Sequence, residues 1–594
     1  MKPLRNRVSR LALIAAGIGL VIGIPAIGQD APESLLPPGF GDPVTAPPPP
    51  PVSSQRPSTA TPAPDSATPR PSASDPLALD GLEETADEAL ETVALPTMPV
   101  VPLGNVGPLT AMDGGLPADA FGGTSGASLA TMMHRLDAPL PSRWASILLR
   151  RTLLSNVPTP AGIKPADWIA ERSWLLLRMG EADSARLLVQ SADPSQFSPY
   201  LFEIAMQTYL ALGDPGGLCP LADPASGVSR ETAWILARAM CAALGGEPGT
   251  ASAAIDQARR ARLDGRRTFD LLLAEKVVGA GVDGRRSVTI EWEGVDRLTS
   301  WRYGLATATG VAIPAPLLTA APSRVQGWRA SAPLLPDSEK LDAGRRAAVL
   351  GVLSSAALID LYGGVLDRTD PSEISASPAT KVRRAFTGSD EGQRIEAMRD
   401  LWTASEDRTE RYAALILTAR AAAMVPVNQD YAEDAPRLIG AMLSAGYDTR
   451  AAGWADVAGS GEGWALLALG AARPVVPVSA SGFGSYAGSV DPVKARLVLA
   501  GLAGLGRLNA QDVAAAAGDL DVNLNAESPW SLLLESAVTA RQPGTVVLLA
   551  AIGMQTSDWR NVPPAHLYRI ISALRRVGLE PEARMIAAEA AARL

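Results

Sequence analysis

From about residue 142 onward, apolar residues recur at the three- and four-residue spacing of amphipathic helices, and glycines interrupt the pattern. In one example, Trp168, Leu175 and Met179 share a helical face that ends at Gly180. The glycines that close apolar helices in this way recur at nearly even spacing, at Gly180, Gly213, Gly245 and Gly279. A period of about 34 residues, built from helix, glycine turn and helix, predicts stacked helical hairpins.

Less regular helical patterns continue to the end of the sequence. A glycine pair at 363–364 and Gly446 are interpreted as helix stops, and the segment 288–292 is briefly strand-like. A final hairpin is predicted at 567–594, turning at Gly578. Further helices are predicted at 292–310, 314–330, 341–366, 391–405, 409–424, 432–445, 492–505 and 529–540.

Over residues 165–280, and again at 567–594, the chain resembles the tetratricopeptide-like superfamily. This resemblance implies an all-α fold, an α-α superhelix or solenoid of helical hairpins, and binding through a concave surface. The family's aromatic position is not reproduced regularly, and no ligand-clamping set of Asn and Lys residues carries over. The chain also resembles uncharacterised secreted alphaproteobacterial helical-repeat proteins, some of which are automatically named antifreeze glycopeptide polyprotein. Since the tract 58–74 lacks a regular Ala-Ala-Thr repeat, that name has no physical content here.

Residues 1–28 have the pattern of a signal peptide. Four basic residues between positions 2 and 10 precede an apolar run at 11–28, in which Ala26 and Gly28 are small enough for cleavage before Gln29. An uncleaved membrane anchor is the alternative. We therefore expect a periplasmic or secreted protein, or one anchored in the inner membrane and facing the periplasm.

Composition divides the rest of the chain into five segments. A disordered Pro/Ala/Ser/Thr-rich linker is predicted at 29–76, because it has too little apolar surface to fold. A short acidic amphipathic helix follows at 77–93, either a docking motif or a solvated segment. Residues 94–139 are expected to be mostly irregular. The tetratricopeptide-like repeats are assigned to 140–290, and a degenerate repeat region with a C-terminal αα-hairpin to 291–594.

Charge limits the partners that we expect. The net charge is −9, and removal of residues 1–28, with four basic and no acidic residues, would lower it to −13. An acidic chain argues against nucleic acid and anionic membranes as main partners, so we expect membrane contact only through an uncleaved N-terminal segment. A protein partner in the cell envelope is the main expectation. A glycan is a second candidate, because some of the 12 Trp residues could line a concave face.

The chain has two cysteines, Cys219 and Cys241, 22 positions apart. In an oxidising compartment they could form a disulfide. They could equally be two separate small core residues, since free Cys is commonly buried. The sequence leaves both interpretations open.

Most catalytic and cofactor patterns are missing. The two histidines, His134 and His566, are expected at a surface or a helix start rather than in a shared metal site. No serine has glycines at both i−2 and i+2, and no Gly-Lys pair exists, so neither a nucleophile elbow nor a P-loop can be drawn. The glycine-rich segment 482–488 is interpreted as a surface loop. We predict no metal and no cofactor.

One enzymatic alternative concerns Glu535. In soluble lytic transglycosylases, an α-superhelix carries a catalytic Glu in a Glu-Ser motif followed by a Gly-Leu-Met-Gln-like segment. This chain has a partial match, in which Glu535 and Ser536 precede the Gly-Met-Gln segment 553–555. A buried Glu with a raised pKa could act as general acid on a glycosidic bond. The leading hypothesis remains a non-enzymatic, exported helical-repeat scaffold or adaptor, with a peptidoglycan-acting enzyme as the alternative.

Overall fold

The computed structural model describes residues 103–137, 139–229, 231–260, 265–282 and 288–594. All of them belong to one compact unit of the chain. The predicted signal peptide, the Pro-rich linker and the acidic amphipathic helix lie outside the described residues, as does the first part of the segment 94–139.

The prediction of an all-α fold of helical hairpins is confirmed. The β structure of the described residues consists of a short antiparallel pairing of β1 (Asn105–Val106) with β2 (Val157–Pro158) and an isolated bridge between Leu109 and Ser155. The described helices, in chain order, are α1 (Gly126–His134), α2 (Arg143–Leu154), α3 (Pro165–Arg178), α4 (Ala182–Val189), α5 (Pro199–Ala211), α6 (Cys219–Val228), α7 (Thr232–Leu244), α8 (Pro248–Arg260), α9 (Gly265–Gly281), α10 (Ser300–Ala308), α11 (Ala315–Ala320), α12 (Arg324–Ser331), α13 (Asp337–Leu350), α14 (Ser355–Arg368), α15 (Pro378–Thr387), α16 (Glu391–Trp402), α17 (Arg408–Ala423), α18 (Ala435–Ser444), α19 (Asp448–Ala452), α20 (Glu462–Gly470), α21 (Ala480–Ala487), α22 (Pro492–Gly504), α23 (Ala510–Asp519), α24 (Pro529–Thr539), α25 (Pro543–Gly553), α26 (Pro564–Arg576) and α27 (Glu580–Ala592).

Local chemistry explains where many of these helices begin and end. The side chains of Ser142 and Asp407 accept hydrogen bonds from the first-turn backbone N–H groups of α2 and α17. Several helices open with Pro, whose missing N–H costs nothing in the first turn. Gly180 and Gly578 take the left-handed conformation, with φ of 81° and 88°, and so let the chain reverse between two helices.

Consecutive helices pack as hairpins, among them α3 with α4, α7 with α8, and α26 with α27. Helices two positions apart also pack together, as α3 does with α5, α7 with α9, and α18 with α20. This combination of contacts is typical of a helical solenoid, in which each hairpin buries its apolar face against the next.

Helix α2 departs from simple stacking, because it packs against α13, α25 and α27 as well as its neighbour α3. Every residue of α2 is buried, including Arg143, Arg150 and Arg151. The first long helix of the described unit is therefore a core element held by helices from distant parts of the sequence.

Several sequence expectations about glycine are wrong. Gly279 lies inside α9, which ends at Gly281. Gly363 and Gly364 lie inside α14 and do not stop it. The helix predicted at 341–366 is instead broken at Gly351, whose φ of 100° separates α13 from α14.

Other element assignments also need correction. The segment 288–292 forms no strand, and 314–330 divides into α11 and α12 around Pro322, which has no N–H to continue the first helix. The glycine-rich segment 482–488 is mostly helical, because Ser479 caps α21 and its apolar residues Phe483 and Tyr486 are buried. Helix α1 occupies part of a segment that we expected to be mostly irregular.

Candidate functional site

Glu535, the candidate general acid, lies on α24 and is exposed. Both of its carboxylate oxygens accept hydrogen bonds of 2.7 Å from the Arg576 guanidinium. These hydrogen bonds hold the pKa of Glu535 below its usual value, whereas a general acid at neutral pH needs a raised pKa. Glu535 therefore lacks both the burial and the raised pKa that the general acid of a glycosidase requires.

The residues of the neighbouring Gly-Met-Gln segment have structural contacts. Met554 is fully buried. The Gln555 side chain accepts a hydrogen bond from the backbone N–H of Asp137 and donates one to the carbonyl oxygen of Arg135. It therefore ties the turn after α25 to the chain that follows α1, and no described contact joins it to Glu535.

Cys219 and Cys241 are joined by a disulfide, with their Cα atoms 5.3 Å apart. Cys219 is the first residue of α6, and Cys241 lies near the end of α7. The bond therefore ties two adjacent helices within the part of the chain assigned to repeats.

The two histidines occupy separate places. The His134 Nε2 atom lies 2.9 Å from a carboxylate oxygen of Glu171, and its ring packs against Trp174. The His566 Nδ1 atom lies 2.9 Å from the carbonyl oxygen of Gly553, and its ring packs against Trp530. Within the described residues, no group of three or more His, Cys, Asp or Glu side chains could hold a metal ion.

Tryptophan mainly supports packing in this protein. Five of the Trp side chains are among the largest fully buried ones in the described chain, namely Trp144, Trp168, Trp454, Trp530 and Trp559. An aromatic-lined glycan surface would need exposed rings, so these five belong to the core.

A largely apolar cavity lies among helix ends in the first half of the helical unit, and we call it the helix-end groove. Its volume is about 580 Å³, within the range of pockets that hold several side chains of a ligand. Two large side chains in its lining are well exposed, Leu244 at 50% and Leu334 at 60%. The apolar lining residues include Leu212, Leu244, Val277, Ala308, Pro333 and Leu334.

The groove also carries a small set of charged side chains. Asp183 comes from the first turn of α4, and Asp214 from the turn after α5. A guanidinium nitrogen of Arg186 lies 3.6 Å from a carboxylate oxygen of Asp214. An apolar surface with a few convergent polar groups is the usual composition of a binding site.

No described helix has the length and continuous apolar character needed to cross a membrane. No protein-family model, curated protein or solved structure is significantly similar to the chain.

The sequence patterns did not predict the helix-end groove. Its lining residues are spread over positions 183–334 and match no motif; the nearest sequence signal was the turn at Gly213, which lies in its wall.

Proposed function

We propose that this chain is an exported, non-enzymatic, tetratricopeptide-like helical-repeat scaffold or adaptor of a bacterial cell envelope, which binds a protein partner. The signal-peptide pattern supports a periplasmic or secreted location, with an inner-membrane anchor as the alternative. The Pro-rich linker would separate the helical unit from any point of attachment.

The helix-end groove is the observation that carries this proposal. Leu244 is the last residue of α7 and Leu334 lies in the turn between α12 and α13, and both are exposed in the same cavity. Exposing large apolar side chains to water is unfavourable, and when they gather in a concavity they mark an interaction site. The groove has the size and composition for a short apolar segment of a partner protein.

The test places a photo-activatable cross-linking residue at position 334 in the full chain, expressed in its native host. We expect a discrete set of covalent protein adducts from this position. The added variant Leu244→Asp should reduce them strongly, because a carboxylate in the apolar wall would have to be desolvated on binding.

A matched control is available on α24, where Leu533 is 52% exposed and lies outside the groove. The same cross-linking residue at position 533 should give few adducts or different ones. Equal adducts from positions 334 and 533, or adducts from 334 that persist with Leu244→Asp, would contradict the proposal. Circular dichroism of each variant shows whether the helical unit remains folded.

A further inference from the structure

Five helices end at the wall of the helix-end groove. The last residues of α5, α7, α9, α10 and α12 are in its lining or within one residue of it, next to Leu212, at Leu244, next to Ala280, at Ala308 and at Ser331. The C-terminal end of a helix carries a partial negative charge of about half an elementary charge, from its unpaired carbonyl groups. The N-terminal end of one helix, α4, also lies in the lining at Asp183 and carries the opposite partial charge. Because five C-terminal ends outnumber this one N-terminal end, the helix dipoles together give the groove a negative potential.

The side chains add to this potential. Asp183 and Asp214 both line the groove, and Arg186 is the single basic side chain among its described lining residues. The Arg186–Asp214 contact is long, at 3.6 Å, and the Arg186 side chain is 41% exposed, so it offsets the two carboxylates only in part.

Asp183 is exposed to solvent on the wall of the groove. Desolvation raises its pKa, while a hydrogen bond with Ser331 and the charge of Arg186 act in the opposite direction. Because the carboxylate is exposed, a cation of a bound segment can reach it directly.

We propose that the partner segment bound in the helix-end groove is apolar and carries a Lys or Arg, whose cationic group lies beside Asp183 and Asp214. This rests on the proposed function of the groove as a docking site for a protein. The Leu-lined wall would receive the apolar side chains of the segment, and the helix ends and carboxylates would receive its charge. An acidic segment would be repelled by the same groups.

The test uses the full chain and three labelled synthetic peptides that differ at one position. The first has a central Lys flanked by Leu residues, and its twins carry Gln or Glu in place of the Lys. By fluorescence anisotropy we expect the Lys peptide to bind about fivefold more tightly than the Gln peptide, as expected for two partly exposed ion pairs. The Glu peptide should bind most weakly, and added salt should reduce the difference between Lys and Gln.

Substitutions in the groove test whether the preference for the Lys peptide arises there. Asp183→Asn and Asp214→Asn together should remove the preference for Lys, so that the Lys and Gln peptides bind with equal affinity. Asn preserves shape, and at position 214 it can still accept the hydrogen bond from the Gly217 N–H that Asp214 accepts. Asp367→Asn on α14, outside the groove, is the matched control and should change nothing.

The outcomes separate this inference from the proposed function. If the Lys and Gln peptides bound equally, the charge preference would be overturned. If Leu334→Asp also abolished the binding of both peptides, the groove would still be a docking site. If all three peptides bound equally well to the Leu334→Asp variant, or if none of them bound to the protein, the proposed role of the groove as a docking site would be overturned. A preference for Lys that survives the two Asn substitutions would assign the charge recognition to another surface.

Discussion

At the scale of single residues, several buried charged side chains are paired or hydrogen-bonded within the core. Arg172 is fully buried and donates hydrogen bonds to the carbonyl oxygens of Val106, Leu153 and Ser155. Burial lowers its pKa to about 9. The carboxyl group of Glu181 pairs with Arg150, and burial raises its pKa above its usual value. Perturbed pKa values often mark active sites, but here both groups lie in the packed core beside α2.

The first prediction concerns His566, whose pKa is lowered, mainly by burial. Because the folded state favours the neutral ring, the unfolded state binds the proton more tightly. The stabilising contribution is therefore complete above the unfolded pKa of about 6.5 and is lost as the pH falls through the lower folded pKa. We expect the His566 ring resonances to titrate with a midpoint below 6.5, as measured by NMR.

The chain's two histidines make this measurement direct. His566→Asn assigns the resonance by removing it. The same variant should flatten the fall in the free energy of unfolding between about pH 6.5 and the folded pKa, relative to the original protein. A midpoint at or above 6.5 would contradict the effect of burial beside Trp530.

At the scale of helices, the sequence predicts where several helices begin better than it predicts whether a glycine ends a helix. Helices α16, α17, α22 and α24 begin within one residue of their predicted starts, because caps and first-turn prolines are local signals. Gly180 and Gly578 form the predicted turns, whereas Gly279 lies within a helix. Glycine favours both a left-handed turn and a close approach of backbones, and only the packed structure distinguishes the two.

The second prediction compares two glycines inside helices. A Cβ atom at Gly304 in α10 would lie 2.3 Å from the carbonyl oxygen of Leu210 in α5, whereas one at Gly363 in α14 would meet nothing within 4 Å. We expect Gly304→Ala to destabilise the protein by about 1–3 kcal/mol, since the two helices would have to separate. Gly363→Ala should stabilise it by about 0.5–1 kcal/mol through helix propensity.

Urea unfolding followed by circular dichroism measures both changes. A destabilising effect of the same size in both variants would show that the close packing of α5 and α10 is not the cause.

At the scale of the whole described unit, the two kinds of candidate site differ in how they could be found. Glu535 and its Ser-containing motif are contiguous in sequence, so a motif comparison can identify them. In the structure, however, Glu535 forms an exposed ion pair. The helix-end groove needs the ends of five helices to converge. No local pattern encodes that convergence, so the all-α class followed from periodicity while the site did not.

The unit is also held together by a contact between its first long helix and its last. The carboxylate of Glu589 in α27 accepts hydrogen bonds from the backbone N–H groups of Arg143 and Trp144, at 2.8 and 3.2 Å, and from the Ser142 hydroxyl at 2.6 Å. It thus caps the positive end of α2 from a helix at the opposite end of the described chain. The Glu589 side chain is fully buried and also pairs with Arg593.

The third prediction follows from this cap. Glu589→Ala should lower the free energy of unfolding by about 3 kcal/mol, because it leaves the buried first turn of α2 and the Arg593 guanidinium without their anion. Glu535→Ala is the matched control, since it also removes a helical Glu paired with Arg, but at an exposed site where the loss should stay below about 1 kcal/mol. Urea unfolding of both variants measures the difference, and hydrogen exchange of α2 locates it. If the two variants lost equal stability, or if α2 kept its protection in Glu589→Ala, the last helix would not be what holds α2 in the core.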